Sequence, residues 1–220
     1  MKKLVIFDLD GTLLNTYEDI AAATNHALAM YGYPTHPTHV IKSFVGNGIN
    51  KLIERALPEE HRNEATVLRL REWFVPYYDE HNCDLTHPYD GIVEMLGALK
   101  QAGHKLAVAS NKYQAATEKI VAQLFPGIFD IVLGERVGVE RKPHPQIVWD
   151  IWSDLSYKPN GSELSCLYVG DSLVDAETAK AAGLPFVACT WGFCTEAQLA
   201  GANPEYLIHH PAEIQEIINR

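Results

Sequence analysis

The stretch Leu4-Val5-Ile6-Phe7-Asp8-Leu9-Asp10-Gly11-Thr12 decides how this chain is read. Four apolar residues form a short, fully buried strand, and the polar, glycine-containing run behind them ends it in a turn. Residues two apart at a strand end point to the same side, so Asp8 and Asp10 can face one site. Further along, short apolar strands are expected at 105–109, 129–133, 165–169 and 185–189. Helices are expected near 91–102, 114–124, 145–155 and 173–182. Strands alternating with helices of this length predict an α/β fold with a parallel sheet covered on both faces. Residues 18–81 read differently. Ile20, Thr24, Ala27, Leu28 and Tyr31 fall at helical spacing, as do Val67, Leu70, Phe74 and Tyr77, and a helix is expected around 49–57. The expected organisation is a sheet domain from 1–15 and 87–220, interrupted after its first strand by a helical domain at 16–86.

Composition narrows the class of function. The chain has 220 residues, 47% hydrophobic and 21% charged, an ordinary globular balance. A formal charge of −10, with no basic run to offset it, argues against a nucleic-acid partner. No apolar string approaches the ~20 residues needed to cross a bilayer. Asp8 and Asp10 interrupt the apolar segment after Met1-Lys2-Lys3, which argues against a signal peptide. The four cysteines form no CxxC pair, as expected for free thiols in a reducing cytosol. A cytoplasmic protein without a membrane partner is expected, as a monomer or small homo-oligomer.

Sites in parallel sheets lie at the carboxyl ends of strands. Asp8 and Asp10 follow the first strand, Ser110 and Asn111 the second, and Gly170-Asp171-Ser172 the fourth, while Lys142 lies ahead of a helix in Arg141-Lys142-Pro143-His144-Pro145. An acidic residue past a strand is ordinarily a cap or turn former, but convergence from three strand ends calls for another explanation. Hard carboxylate ligands with open positions suit Mg²⁺ and disfavour zinc. Ser110, the Asn111 backbone N–H and Lys142 supply donors and a cation for phosphate oxygens. The set is suited to phosphoryl transfer rather than hydride or acyl transfer.

These motifs, in this order, resemble the four motifs of the haloacid dehalogenase-like hydrolases: Asp8-Leu9-Asp10-Gly11-Thr12, Ser110, Lys142-Pro143 and Gly170-Asp171-Ser172-Leu173-Val174-Asp175. Val45-Gly46-Asn47-Gly48, Ser110-Asn111-Lys112 and Lys142-Pro143-His144-Pro145 resemble the phosphoglycolate phosphatase branch. The resemblance implies a Rossmann-like core and a small helical cap. It also implies hydrolysis of a small phosphorylated metabolite through an aspartyl-phosphate. Asp8 would be the nucleophile, and Asp10 would protonate the leaving oxygen and then take a proton from water. Asp8, the backbone carbonyl of Asp10 and Asp171 would hold Mg²⁺, with Asp175 and Gly170 in support and Thr12 orienting Asp10. Asp175 also fits a helix N-terminus through the macrodipole. Gly46 and Gly48, flanking Asn47, fit either plain turns or a loop whose amides approach substrate. Lys51 and Arg55 are expected to form a solvated face.

Other activities share these motifs: pyrophosphatase, nucleotidase, sugar-phosphate phosphatase and β-phosphoglucomutase-like transfer. A receiver-type phosphoacceptor switch is a reading from another class, but its acceptor follows a middle strand and it lacks a counterpart of Asp10. A non-catalytic binding protein should have lost a motif residue, and none is missing.

Overall fold

A computed structural model describes residues 2–156 and 166–219. The chain divides into two compact units, Met1–Leu14 with Pro88–Arg220, and Asn15–His87. The first begins with β1 (Leu4–Phe7), and the short β2 (Leu14–Asn15) falls at the boundary. The second holds α1 (Tyr17–Met30), α2 (Thr38–Lys42), α3 (Gly48–Ala56) and α4 (Glu64–His81). The chain returns through β3 (His87–Pro88), which pairs with β2. Then come α5 (Ile92–Gln101), β4 (Lys105–Tyr113), α6 (Gln114–Leu124), β5 (Ile131–Glu135) and α7 (Gln146–Asp154). The last elements are β6 (Cys166–Gly170), α8 (Leu173–Ala182), β7 (Phe186–Cys189), α9 (Glu196–Gly201), β8 (Tyr206–Ile208) and α10 (Glu213–Ile218).

Six strands form one parallel sheet in the order β5-β4-β1-β6-β7-β8. All four residues of β1 are fully buried, as a strand covered on both faces requires. Each such side chain is worth about 1.5–3 kcal/mol relative to exposure. On one face Leu4, Ile6, Ala107, Ala109 and Tyr168 pack with Ile147, Val148 and Ile151 of α7 and Ala179 of α8. The chain order β1, β4, β6 becomes the spatial order β4-β1-β6. The loop after β1 therefore lies between the ends of both other strands that carry site residues.

Two strands depart from expectation. β4 does not stop at 109 but runs to Tyr113 through an irregularity, with Ala109 opposite Leu133 and Tyr113 opposite Glu135. Four residue steps on β4 thus match two on β5, a bulge that re-aims the side chains between them. β5 begins at Ile131 rather than 129. Phe129 instead packs edge-on against Phe7 and Phe125, and the Asp130 carboxylate accepts from the Leu106 amide and from Lys100 and Lys105. The expected start of β6 at Ser165 lies outside the described residues. α2, α9, β8 and α10 were not expected, being too short to show a periodicity of their own.

In the helical unit, α1 packs against α4 and α2, and α3 against α4. Asn63 caps α4 by accepting from the Thr66 amide at 3.0 Å. Phe74 and Tyr78, one turn apart, are buried and stacked at 5.4 Å. The buried Asp19 carboxylate accepts from the Leu85 and Thr86 amides, tying the start of α1 to the returning chain.

Candidate active site

Asp8 directly follows β1, and its amide donates to Val169 of β6 at 2.9 Å, which anchors it against the strand that leads to Asp171. Lys142, on the loop between β5 and α7, is 2% exposed. Its ammonium donates to Asp8 Oδ1 at 2.8 Å, Ala109 O at 2.9 Å and Asp175 Oδ1 at 2.8 Å, one acceptor for each proton. Burial by itself would discharge this lysine, but the charges of Asp175 and Asp8 outweigh it and hold the ammonium well above the ordinary lysine range. Burial, with the charge of Asp175, pushes the Asp8 carboxyl up, and Lys142 opposes that rise. Asp8 Oδ2 accepts no hydrogen bond from any of the described residues.

Asp171 ends β6 and is held in a tight socket. Its Oδ1 accepts from Thr12 Oγ1 at 2.9 Å and its Oδ2 from the Phe193 amide at 2.7 Å. Thr12 was expected to orient Asp10. Its hydroxyl goes to Asp171 instead, because the turn after β1 folds back toward β6. Gly11, at φ +89°, makes that turn, and a Cβ there would lie 2.3 Å from Asp171 Oδ2. A Cβ on Gly192 would also lie 2.3 Å from Asp171, and one on Gly170 would lie 2.4 Å from Asp175 Cβ. Burial, then the charge of Asp175, raises the Asp171 carboxyl to about 7.

Asp175 stands at a helix start, as one of its two readings requires. With Ser172 it forms a capping box at the start of α8, Ser172 accepting from the Asp175 amide and Asp175 Oδ2 accepting from Ser172 N and Oγ. Its Oδ1 meanwhile accepts from Lys142, and from the buried Tyr168 hydroxyl at 3.3 Å.

The β4 bulge carries Ser110, Asn111 and Lys112, all buried. Ser110 Oγ accepts from the Lys112 amide at 3.1 Å. The Asn111 side chain exchanges two hydrogen bonds with the Lys142 backbone, both at 3.0 Å, so it positions the lysine loop. Lys112 Nζ lies 3.1 Å from Asp10 Oδ1.

These residues suit a hard divalent cation. Oxygen atoms of Asp8, Asp171 and Asp175 lie within 4.8 Å of one another, and all three residues are buried. Four carboxylates here (Asp8, Asp10, Asp171, Asp175) face two ammonium groups (Lys112, Lys142), an acidic excess that a dication would offset. Asp175 already accepts on both oxygens from Lys142 and Ser172, which makes it a support rather than a direct ligand.

Several participants were given no role by the sequence reading. Lys112, quoted there only within Ser110-Asn111-Lys112, stands two residues beyond Ser110, the same i, i+2 relation that linked Asp8 to Asp10, and could have been singled out by it. Tyr168 looked like any core strand residue. Trp191-Gly192-Phe193 carries no motif, yet Trp191 Nε1 donates to Thr12 O at 2.9 Å beside the Phe193 contact with Asp171.

Gly46, Asn47 and Gly48 belong to the helical unit, at the start of α3. Gly46 and Gly48 have φ of 115° and 77°. Lys51 forms an exposed ion pair with Glu54. Arg55 is no solvated neighbour of it: its guanidinium donates to Phe44 O and Asn47 Oδ1, both at 2.8 Å, and so braces this loop.

Residues 5–189 match the family model of haloacid dehalogenase-like hydrolases. The chain is 32% identical to a phosphoglycolate phosphatase of Haemophilus influenzae, covering 98% of both chains. It is 31% identical to one of Aquifex aeolicus, over 99% of this chain and 97% of that one. A solved Haemophilus somnus structure, described as a predicted phosphoglycolate phosphatase, superposes with a TM-score of 0.88 at 30% identity, over 98% and 97% of the two chains. With the motif residues gathered at the ends of β1, β4 and β6, the chain belongs to the haloacid dehalogenase-like hydrolases.

Proposed function

We propose that this chain is a Mg²⁺-dependent phosphatase that hydrolyses a small phosphate monoester through an aspartyl-phosphate on Asp8. Phosphoglycolate is the favoured substrate, from the relatives that carry that name. The observation that carries the reading is Lys142, buried and bonded at 2.8 Å to both Asp8 and Asp175. A lysine so committed opposes the rise that burial imposes on the Asp8 carboxyl and fixes the nucleophile in place.

Asp8, Asp171 and the Asp10 backbone carbonyl would hold Mg²⁺, which when bound offsets charge on the transferring phosphoryl group. In the first half-reaction Asp8 Oδ2 forms a bond to phosphorus as the ester P–O bond breaks. Asp10 gives its proton to the departing oxygen. In the second, Asp10 takes a proton from water, the water oxygen bonds phosphorus, and the Asp8–phosphorus bond breaks to release orthophosphate. Ser110 and the Asn111 amide donate to phosphate oxygens, and Thr12 keeps Asp171 oriented. Residues 16–86 act as the helical cap, with Gly46-Asn47-Gly48 its selecting loop. Among the described residues no helix is long and apolar enough to cross a membrane.

The test is phosphate release from a panel of monoesters and pyrophosphate, with Mg²⁺ and with EDTA. Metal-dependent release led by phosphoglycolate is expected. Isomerised sugar phosphate without net phosphate release would replace hydrolysis by intramolecular transfer.

A further inference from the structure

Two lysines meet three of the four carboxylates of the site. Lys142 serves Asp8 and Asp175, while Lys112 lies 3.1 Å from Asp10 Oδ1, with both of these side chains largely shielded. Only Lys142 has a role in the chemistry above. Lys112 is placed by construction, because the two-residue bulge in β4 sets it down between Ala109 and Tyr113, and Ser110 Oγ holds its amide. Burying a flexible ammonium costs desolvation and side-chain entropy, and a surface position would avoid both.

We propose that Lys112 is a substrate-binding residue that selects phosphate esters whose leaving group carries an anion beside the ester oxygen, above all the carboxylate of a 2-hydroxy acid. The proposal rests on the phosphatase reading. If Asp10 serves the ester oxygen, that oxygen lies within about 3 Å of the Asp10 carboxylate. The Lys112 ammonium, 3.1 Å from Asp10 Oδ1, is then within about 6 Å of the ester oxygen. In a two-carbon 2-hydroxy acid phosphate the carboxylate oxygens sit about 3 Å from the ester oxygen by bond lengths alone, and so come within reach of Lys112. The second phosphoryl group of pyrophosphate brings an anion to the same place. A neutral alcohol or sugar brings none and leaves the ammonium unanswered by substrate. Lys142, which gives its three protons to Asp8, Ala109 and Asp175, cannot serve this second anion without leaving the nucleophile.

Lys112→Gln removes the charge and keeps a donor toward Asp10, and Lys112→Arg keeps the charge. Both are compared with the parent enzyme on 2-phosphoglycolate, pyrophosphate and the neutral ester 2-hydroxyethyl phosphate, all with Mg²⁺. Lys112→Gln is expected to lower kcat/KM for the two anionic substrates at least about tenfold more than for the neutral ester. The loss should fall mainly in KM, and Lys112→Arg should restore much of it. An equal loss on all three compounds, confined to kcat, overturns the proposal and leaves Lys112 a brace for Asp10. A parent enzyme with no preference for anionic leaving groups overturns it without any variant. Absence of metal-dependent phosphate release by the parent from every compound removes the phosphatase reading itself, and the role of Lys112 with it.

Discussion

Each unit of this protein buries a carboxylate near its first helix or strand, and the two are used differently. In the helical unit Asp19, 3% exposed, is spent on the backbone amides of Leu85 and Thr86 and holds a chain crossing in place. In the sheet unit Asp8 meets an ammonium on one oxygen, is crowded by Asp171 and Asp175, and accepts no hydrogen bond on the other oxygen from the described residues. Burial alone therefore does not mark a reactive carboxylate. The marks are a committed cation, like charges close by, and an oxygen left for chemistry.

The sharpest break between the two is Asp8→Asn, which should lower turnover by about 10⁴-fold or more. Thermal unfolding should show the fold intact, since the amide relieves repulsion from Asp171 and Asp175. Full turnover in this variant would end the covalent mechanism. Lys142→Ala strips the neutralising partner from Asp8 and Asp175 and should cost about 3–5 kcal/mol in urea unfolding, as removal of one member of a buried ion pair does. Asp19→Ala leaves two amides unmet and should cost less, about 1.5–3 kcal/mol by the same measurement. Equal losses would mean that the sheet unit's charges serve no purpose beyond structure.

Gly192→Ala tests the socket of Asp171. Its Cβ would have to displace that carboxylate, so Mg²⁺ affinity measured by calorimetry should fall about 10–100-fold. The smallest effect is one of pH. Folding raises the Asp171 carboxyl from 3.8 to about 7, so between these values the folded chain keeps a proton that the unfolded chain has released. The stability this provides is fully present below pH 3.8 and is lost as pH climbs through about 7, at no more than about 1.4 kcal/mol per unit. In EDTA, melting temperature should therefore fall with pH more steeply for the parent protein than for Asp171→Asn. Mg²⁺ affinity should rise over the same range, because the ligand must shed its proton.

Reading β1 and its turn from sequence was straightforward, since four apolar residues followed by Asp8-Leu9-Asp10-Gly11 signal themselves locally. The β4 bulge was not legible. Lys105–Ala109 reads as a strand that ends before the polar Ser110-Asn111, and only pairing with β5 shows that β4 runs on to Tyr113 with two extra residues accommodated. Arg55 was misread for a similar reason. Its place one turn after Lys51 predicts a shared solvated face, whereas its guanidinium turns back on Phe44 and Asn47, a contact that helical spacing does not encode.

The sequence by itself determined the alternation of strands and helices, the helical insertion after the first strand, and the residue types suited to phosphoryl transfer. These follow from local periodicity and from side-chain chemistry, which need no partner. The tertiary structure alone decided that β4 and β6 flank β1. It also decided that Thr12 holds Asp171 rather than Asp10, that Asp175 shares Lys142 with Asp8, and that Lys112 stands beside Asp10. Each of those facts depends on register between strands distant in the chain, and register leaves no trace in the period of any one segment.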